Sequence, residues 1–139
     1  MYTRPLLDVD ECMGALDAML AAAAGAQGPM ALAIVDEYGD LLALACMDGA
    51  SPFVRDFAIK KAYTAARMRA DLRDFAERRR TQGRSIADYG DAKFVGAMRG
   101  GVVLQRSPDG HVLGGIGISG GAPEEDDAVA RAGLEALRL

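Results

Sequence analysis

The chain has no tryptophan, one histidine and two cysteines in 139 residues. Each scarcity removes a class of chemistry. His111 alone cannot build a multi-histidine metal site, and with Cys12 and Cys46 far apart a Cys/His zinc site is not expected either, so the reading holds no metal. Two cysteines form no disulfide framework. No apolar signal core follows Met1-Tyr2-Thr3-Arg4-Pro5, so both thiols are read as reduced, partly buried small side chains of a cytoplasmic protein. Four Tyr and four Phe are too few for a base-stacking platform, and a net charge of −4 repels a phosphate backbone, so nucleic acid is not an expected partner. No apolar run approaches the roughly 18 residues of a membrane span, so a membrane is not expected either.

What is present reads as a soluble globular chain, 50% hydrophobic and 26% charged. Its length suits one domain on the prior of roughly 150 residues per domain, so residues 1–139 are read as a single domain. The 17 glycines fall mostly in the second half, where the backbone must turn or be closely approached.

Periodicity orders the elements. Asp8 with Glu11 is a capping-box start, and Val9, Cys12, Met13, Leu16, Met19, Leu20, Ala23 and Ala24 recur at helical spacing. Ala21 to Ala24 form a small-residue packing face. Met30–Val35 and Leu41–Met47 are almost wholly apolar strands joined by Glu37-Tyr38-Gly39-Asp40, so helices or another subunit must cover both faces of them. Ser51 caps and Pro52 opens a helix through Met68, and a second helix runs from about Ala70 to Arg80, broken by Gly83. Residues 84–94 form a long connection. Val95–Met98, Val102–Gln105 and His111–Ser119 are strands, with Ser107-Pro108-Asp109-Gly110 as a type I turn. An acidic first turn at Glu124 to Asp127 opens a final helix with Val129, Ala130, Leu134, Ala136 and Leu137 on its apolar face. Short connections between neighbouring strands make the sheet antiparallel, and the fold class is α+β.

Several motifs carry two readings each. Gly115-Ile116-Gly117-Ile118-Ser119-Gly120 matches G-x-G-x-x-G, but the 19 residues after Gly120 leave no room for a parallel strand and a ribose-binding acid. These glycines then serve close packing by a helix or ligand. Ser119 to Ala122 present N–H groups at a helix start, for an anion or for plain capping. The arginines from Arg67 to Arg84 interleave with Asp71, Asp74 and Glu77, as on a solvated helix or on a surface for an acidic ligand. Lys61 stands among Phe57, Ala58, Ala62 and Ala65 and shares a face with Thr64: a pocket wall, or a snorkelling surface lysine. His111 is an exposed turn residue, or a general base or haem ligand.

Three groups of residues together resemble the GlcG/HbpS-like proteins, which include the C-terminal domain of PduO-type proteins. They are Ala33-Ile34-Val35-Asp36-Glu37-Tyr38-Gly39-Asp40-Leu41-Leu42-Ala43 with Met47-Asp48-Gly49-Ala50; Lys61-Ala62-Tyr63-Thr64-Ala65, similar to a K-A-x-T-A signature; and Gly100-Gly101 and Asp109-Gly110 with Gly114 to Gly121. The resemblance implies a profilin-like or roadblock-like three-layer fold and homo-oligomers built from dimers. It brings in haem or a corrinoid, bound by some members, and an association with small-molecule catabolism. It supplies no clear axial ligand. The family's G-G-x-P is Gly100-Gly101-Val102-Val103 here, and the first helix has no histidine. The cofactor therefore stays unknown.

Two functional expectations follow. One is a pocket for a small anionic or tetrapyrrole ligand, walled by Met47, Gly49, Lys61, Thr64, Arg99, Gly100, Gly101, Ser119, Gly120 and Gly121. Lys61 and Arg99 would meet anionic groups. The other is a cofactor-independent proton-transfer, isomerase or lyase enzyme whose candidate acid–base groups are Lys61, Asp36, Asp48 and His111.

Overall fold

The computed structural model describes residues 1–107 and 109–139, so the Pro108 position of the expected turn lies outside the described residues. The elements run α1 (Val9–Ala23), β1 (Ala31–Asp36), β2 (Leu41–Cys46), α2 (Pro52–Met68), α3 (Leu72–Gln82), a 3-10 turn (Ile86–Tyr89), β3 (Gly101–Gln105), β4 (Val112–Ser119) and α4 (Pro123–Leu137). The strands form one antiparallel sheet in the order β2-β1-β4-β3. The class is α+β, and an all-antiparallel sheet excludes a dinucleotide-binding parallel unit.

Local chemistry sets the helix starts. Asp8 accepts from the Glu11 N–H while Glu11 accepts from the Asp8 N–H, each at 2.8 Å. Ser51 Oγ accepts from the Val54 N–H, with Pro52 at the first helical position.

Strand alternation then divides the core in two. Leu32 and Ile34 of β1 and Ile116 and Ile118 of β4 face α1 and α4, where Cys12, Leu16, Met19, Val129 and Ala130 are buried. Ala31, Ala33 and Val35 face α2, which offers Ala58, Ala62 and Ala66 at one-turn spacing. On β4 the residues opposite Ala33 and Val35 on this second face are Gly117 and Gly115, and the backbone of α2 rests directly on them. A Cβ on Gly115 would lie 2.5 Å from the Ala62 carbonyl oxygen, and one on Gly117 would collide with that of Ala58. The close-packing reading of the glycine motif is the one realised here.

The structure corrects several expectations. Val95–Met98 is not a strand. The Val95 N–H is drawn instead to Thr64 Oγ1 at 3.1 Å, which ties the segment to α2. Val9, Met13 and Leu20 fit the helical period but point outward, and of Ala21 to Ala24 only Ala23 is buried. Ala136 is exposed on α4. The period marks a wide stripe, and α1 needs only its Cys12–Ala15–Leu16–Met19–Ala23 side to cover the sheet. β1 is covered on both faces, but β2 is an edge strand that leaves Leu41, Leu42 and Cys46 exposed. Cys12 alone is a buried thiol.

Candidate functional site

Among the described residues, one pair of opposite charges is buried, beneath the start of α4. Lys61 comes from the middle of α2, on the side that meets β4. Its Nζ donates to the Ile118 carbonyl at 2.7 Å and to Asp126 Oδ2 at 3.2 Å. Asp126 Oδ1 accepts from the Gly121 N–H at 2.9 Å, so the carboxylate bridges the lysine and the turn that leads into α4. The Lys61 and Asp126 side chains are 6% and 5% exposed. Burial holds the Lys61 ammonium below its ordinary range even with Asp126 beside it. Burial likewise pushes the Asp126 carboxyl up, against the pull of Lys61 and the Gly121 N–H. Burial thus disfavours the charged form of each partner, while each one's opposite charge favours it in the other.

This pair forms the floor of a cavity of about 200 Å³ lined by Phe57, Lys61, Ala97, Met98, Arg99, Pro123 and Asp126. The Phe57 ring lies 5.3 Å from Lys61 Nζ. Arg99 stands at the rim, its guanidinium 3.8 Å from Asp127. Asp127 in turn lies 3.9 Å from Arg131, which pairs with Asp71 at 2.9 Å. Gly100, at φ 80°, closes the floor: a Cβ there would lie 2.9 Å from Lys61 Nζ and 2.7 Å from the Ile118 oxygen.

The wall that carries Ala97, Met98 and Arg99 has no sheet ladder to hold it. Three ties replace one. Tyr63 donates to Asp91 Oδ2 at 2.5 Å, Val95 donates to Thr64, and Phe75, Tyr89, Phe94 and Tyr63 form a chain of ring contacts 5.2–6.2 Å between centroids.

Of the residues expected at the pocket, Lys61, Arg99 and Gly100 are brought together. Gly101 packs behind them against Leu72 of α3. Ser119 is buried at the end of β4, opposite Ala31. Gly121 reaches the site, but its N–H is already committed to Asp126. Gly120, at φ 111°, packs on Pro29. Thr64 does not line the cavity; its hydroxyl donates to the Lys60 carbonyl and accepts from Val95. Met47 and Gly49 lie elsewhere. The Met47 sulfur takes the Met30 N–H, and Gly49 sits by Pro29.

The other acid–base candidates are dispersed. Asp36 Oδ1 accepts from the Tyr38 and Asp40 N–H groups and so closes the β1–β2 turn. Asp48 is exposed. His111 is half-buried at the start of β4. Its Nε2 is buried without a hydrogen bond, 3.6 Å from Glu37 Oε2, and Glu37 is ion-paired with Arg4. Sequence reasoning missed Asp126, whose place in an acidic first turn reads as a helix-dipole feature. It also missed Phe57 and Ala97 as cavity walls. Among the described residues, no group of three or more His, Cys, Asp or Glu side chains is placed to hold a metal ion.

The family described as "Haem degrading protein HbpS-like" matches residues 7–135. The corrinoid adenosyltransferase PduO of Salmonella typhimurium is 31% identical over 118 residues, 81% of this chain and 33% of PduO, so the chain spans about one third of that relative. Among solved structures, a PduOC:heme complex is similar at 28% identity and TM-score 0.81, with 95% of each chain covered. A double mutant of HbpS from Streptomyces reticuli is similar at 27% identity and TM-score 0.84, covering 99% of this chain and 90% of that one.

Proposed function

The chain belongs to the haem degrading protein HbpS-like family, and from that premise we propose that it binds a small anionic ligand in the cleft above Lys61 and Asp126. The observation that carries this reading is a buried, hydrogen-bonded lysine–aspartate pair opening into a cavity with an arginine at its rim. A buried ion pair is weak evidence for stability, since desolvation offsets most of its Coulombic gain. A buried pair lining a cavity is explained better by a ligand that uses it. The apolar walls Phe57, Ala97 and Met98 suit a short carbon skeleton, and Arg99 suits a carboxylate. NMR titration with a panel of small carboxylates tests this. Saturable shifts at the amides of Phe57, Lys61, Arg99 and Gly121 support it, and none across the panel rejects it.

A tetrapyrrole fits this single-chain cleft poorly. Its about 200 Å³ falls below the roughly 300 Å³ at which pockets begin to enclose drug-sized ligands. It offers no histidine or cysteine to an iron, and His111 sits at the far end of β4, beside Glu37. The haem reading rests instead on the PduOC:heme complex, whose chain is similar along nearly its whole length. Haemin titration separates the two: a saturable Soret shift unaffected by a small carboxylate places haem outside the cleft, and the absence of a shift removes haem.

The homo-oligomer reading is supported by apolar side chains that the single chain leaves bare: Leu41 and Leu42 on β2, Phe53 at the start of α2, and Val9, Met13 and Leu20 on α1. A monomer in sedimentation equilibrium overturns it. Among the described residues, no helix is long and apolar enough to cross a membrane.

A further inference from the structure

We propose that Lys61 is an imine-forming lysine, condensing reversibly through Nζ with the carbonyl carbon of a short-chain 2-oxo acid whose carboxylate is held by Arg99. This rests on the anionic-ligand reading of the same cleft and adds a covalent step to it.

The geometry supplies what such a step needs. A nucleophilic lysine must lose its proton near neutral pH, and apolar burial favours that loss. Lys61 is the buried lysine of the chain, whereas Lys60 and Lys93 are exposed. Asp126 touches the same nitrogen and can take the proton and return it. The Ile118 carbonyl and Asp126 orient two of the N–H bonds of Nζ, which leaves the rest of the nitrogen for a reactant in the cavity. The cavity is small, about 200 Å³, and its apolar walls are Phe57, Ala97 and Met98. Arg99, only loosely engaged by Asp127 at 3.8 Å, is free to fork onto a carboxylate and select a 2-oxo acid over a simple aldehyde.

The step balances without a further reactant. The Lys61 ammonium passes a proton to the Asp126 carboxylate. The freed amine adds to the carbonyl carbon, its lone pair forming the C–N bond while the C=O π pair moves to oxygen. A proton shifts from nitrogen to that oxygen, giving a neutral carbinolamine. Asp126 returns its proton to the carbinolamine hydroxyl, the C–O bond breaks, and water leaves. The product is a protonated imine facing the Asp126 carboxylate, so one ammonium and one ketone have become one iminium ion and one water.

Reductive trapping tests this on the wild-type protein. The protein is incubated with pyruvate and sodium cyanoborohydride, and the adduct is located by peptide mass spectrometry, with Lys60, Lys93 and the amino terminus as internal comparators. Lys61 is expected to label severalfold faster than Lys60 or Lys93, because apolar burial favours its free amine and the cavity holds the reactant beside it. Pyruvate is expected to label it at lower concentration than propanal does, and Arg99→Leu to narrow that preference. Because Lys61→Met alone strands Asp126, the folded control is Lys61→Met with Asp126→Leu, in which only the comparator amines label. Pyruvate binding is followed in parallel by NMR. Binding without a Lys61 adduct overturns the imine and leaves the ligand site standing. Neither binding nor adduct overturns both. Labelling spread evenly over Lys60, Lys61 and Lys93 overturns the imine.

Discussion

Lys61 Nζ and Asp126 Oδ2 lie 3.2 Å apart, although the two residues are 65 positions apart in the chain and belong to helices on opposite faces of the sheet. The pair meets where β4 ends, around the carbonyl of Ile118. The cleft, the turn into α4 and the start of that helix are thus joined by a single carboxylate.

Removing one partner is expected to cost more than removing both. Asp126→Ala leaves a buried ammonium without its counter-ion, at about 3–5 kcal/mol by the general cost of breaking buried pairs. Lys61→Met with Asp126→Leu is expected to recover most of that loss while abolishing carboxylate binding. Urea denaturation of the three proteins checks the order. A double variant as unstable as Asp126→Ala would contradict it.

Two glycine-to-alanine changes are expected to move stability in opposite directions. On β4, Gly117→Ala drives a Cβ into the Ala58 carbonyl and the backbone of α2, where nothing can yield. A loss of about 3 kcal/mol, the upper range for overpacking, is expected. On α1, Gly14→Ala meets no atom within 4 Å and sits in a helix interior, so a gain of about 0.5–1 kcal/mol is expected. Thermal melts of both variants decide the matter.

The Tyr63–Asp91 bond gives the cavity wall a pH window. The bond from Tyr63 holds the Asp91 carboxyl below its ordinary range, so its contribution is present above the unfolded carboxyl pKa and is lost as pH falls through the lower folded value. Burial, and then Asp91, push the Tyr63 phenol up. Its contribution is present below the ordinary tyrosine pKa and is lost as pH rises through the folded value. Tyr63→Phe is expected to flatten both limbs and to speed hydrogen exchange across residues 91–99. Unchanged exchange there would show that the wall does not depend on this bond.

Asp109 is expected to titrate at about 2, because Arg106 and the His111 N–H hold its carboxylate. This support is present above the unfolded carboxyl pKa and is lost as pH falls through the folded value of about 2. Carboxyl-detected NMR gives the midpoint directly, and in Arg106→Gln it should return toward an ordinary aspartate value.

How much was legible beforehand varies with the range of the interaction. Asp8 with Glu11, and Ser51 with Pro52, announce their helices because capping is satisfied within three residues. β1 shows as a short apolar run bounded by Pro29 and Asp36. Val95–Met98 also reads as a strand, but the Val95 N–H bonds Thr64 Oγ1, 31 residues earlier, and joins no ladder. At the site, Lys61, Arg99 and Gly100 were visible as a cation among small residues and as a glycine turn. Met47, Gly49 and Thr64 looked equivalent and lie outside the cavity.

The sequence by itself determined the four helices and four of the expected strands, the antiparallel sheet, the family and the presence of a lysine suited to a pocket, because caps, periods and motifs act over a few residues. Only the tertiary structure decided which acid that lysine meets and which glycines serve packing. It also decided where the one histidine goes. Asp126 shares its helix start with Glu124, Glu125 and Asp127, and nothing local sets it apart. It became the buried partner because α4, packed with α1 on one face of the sheet, begins over the turn where Lys61 of α2 reaches the end of β4 from the other face.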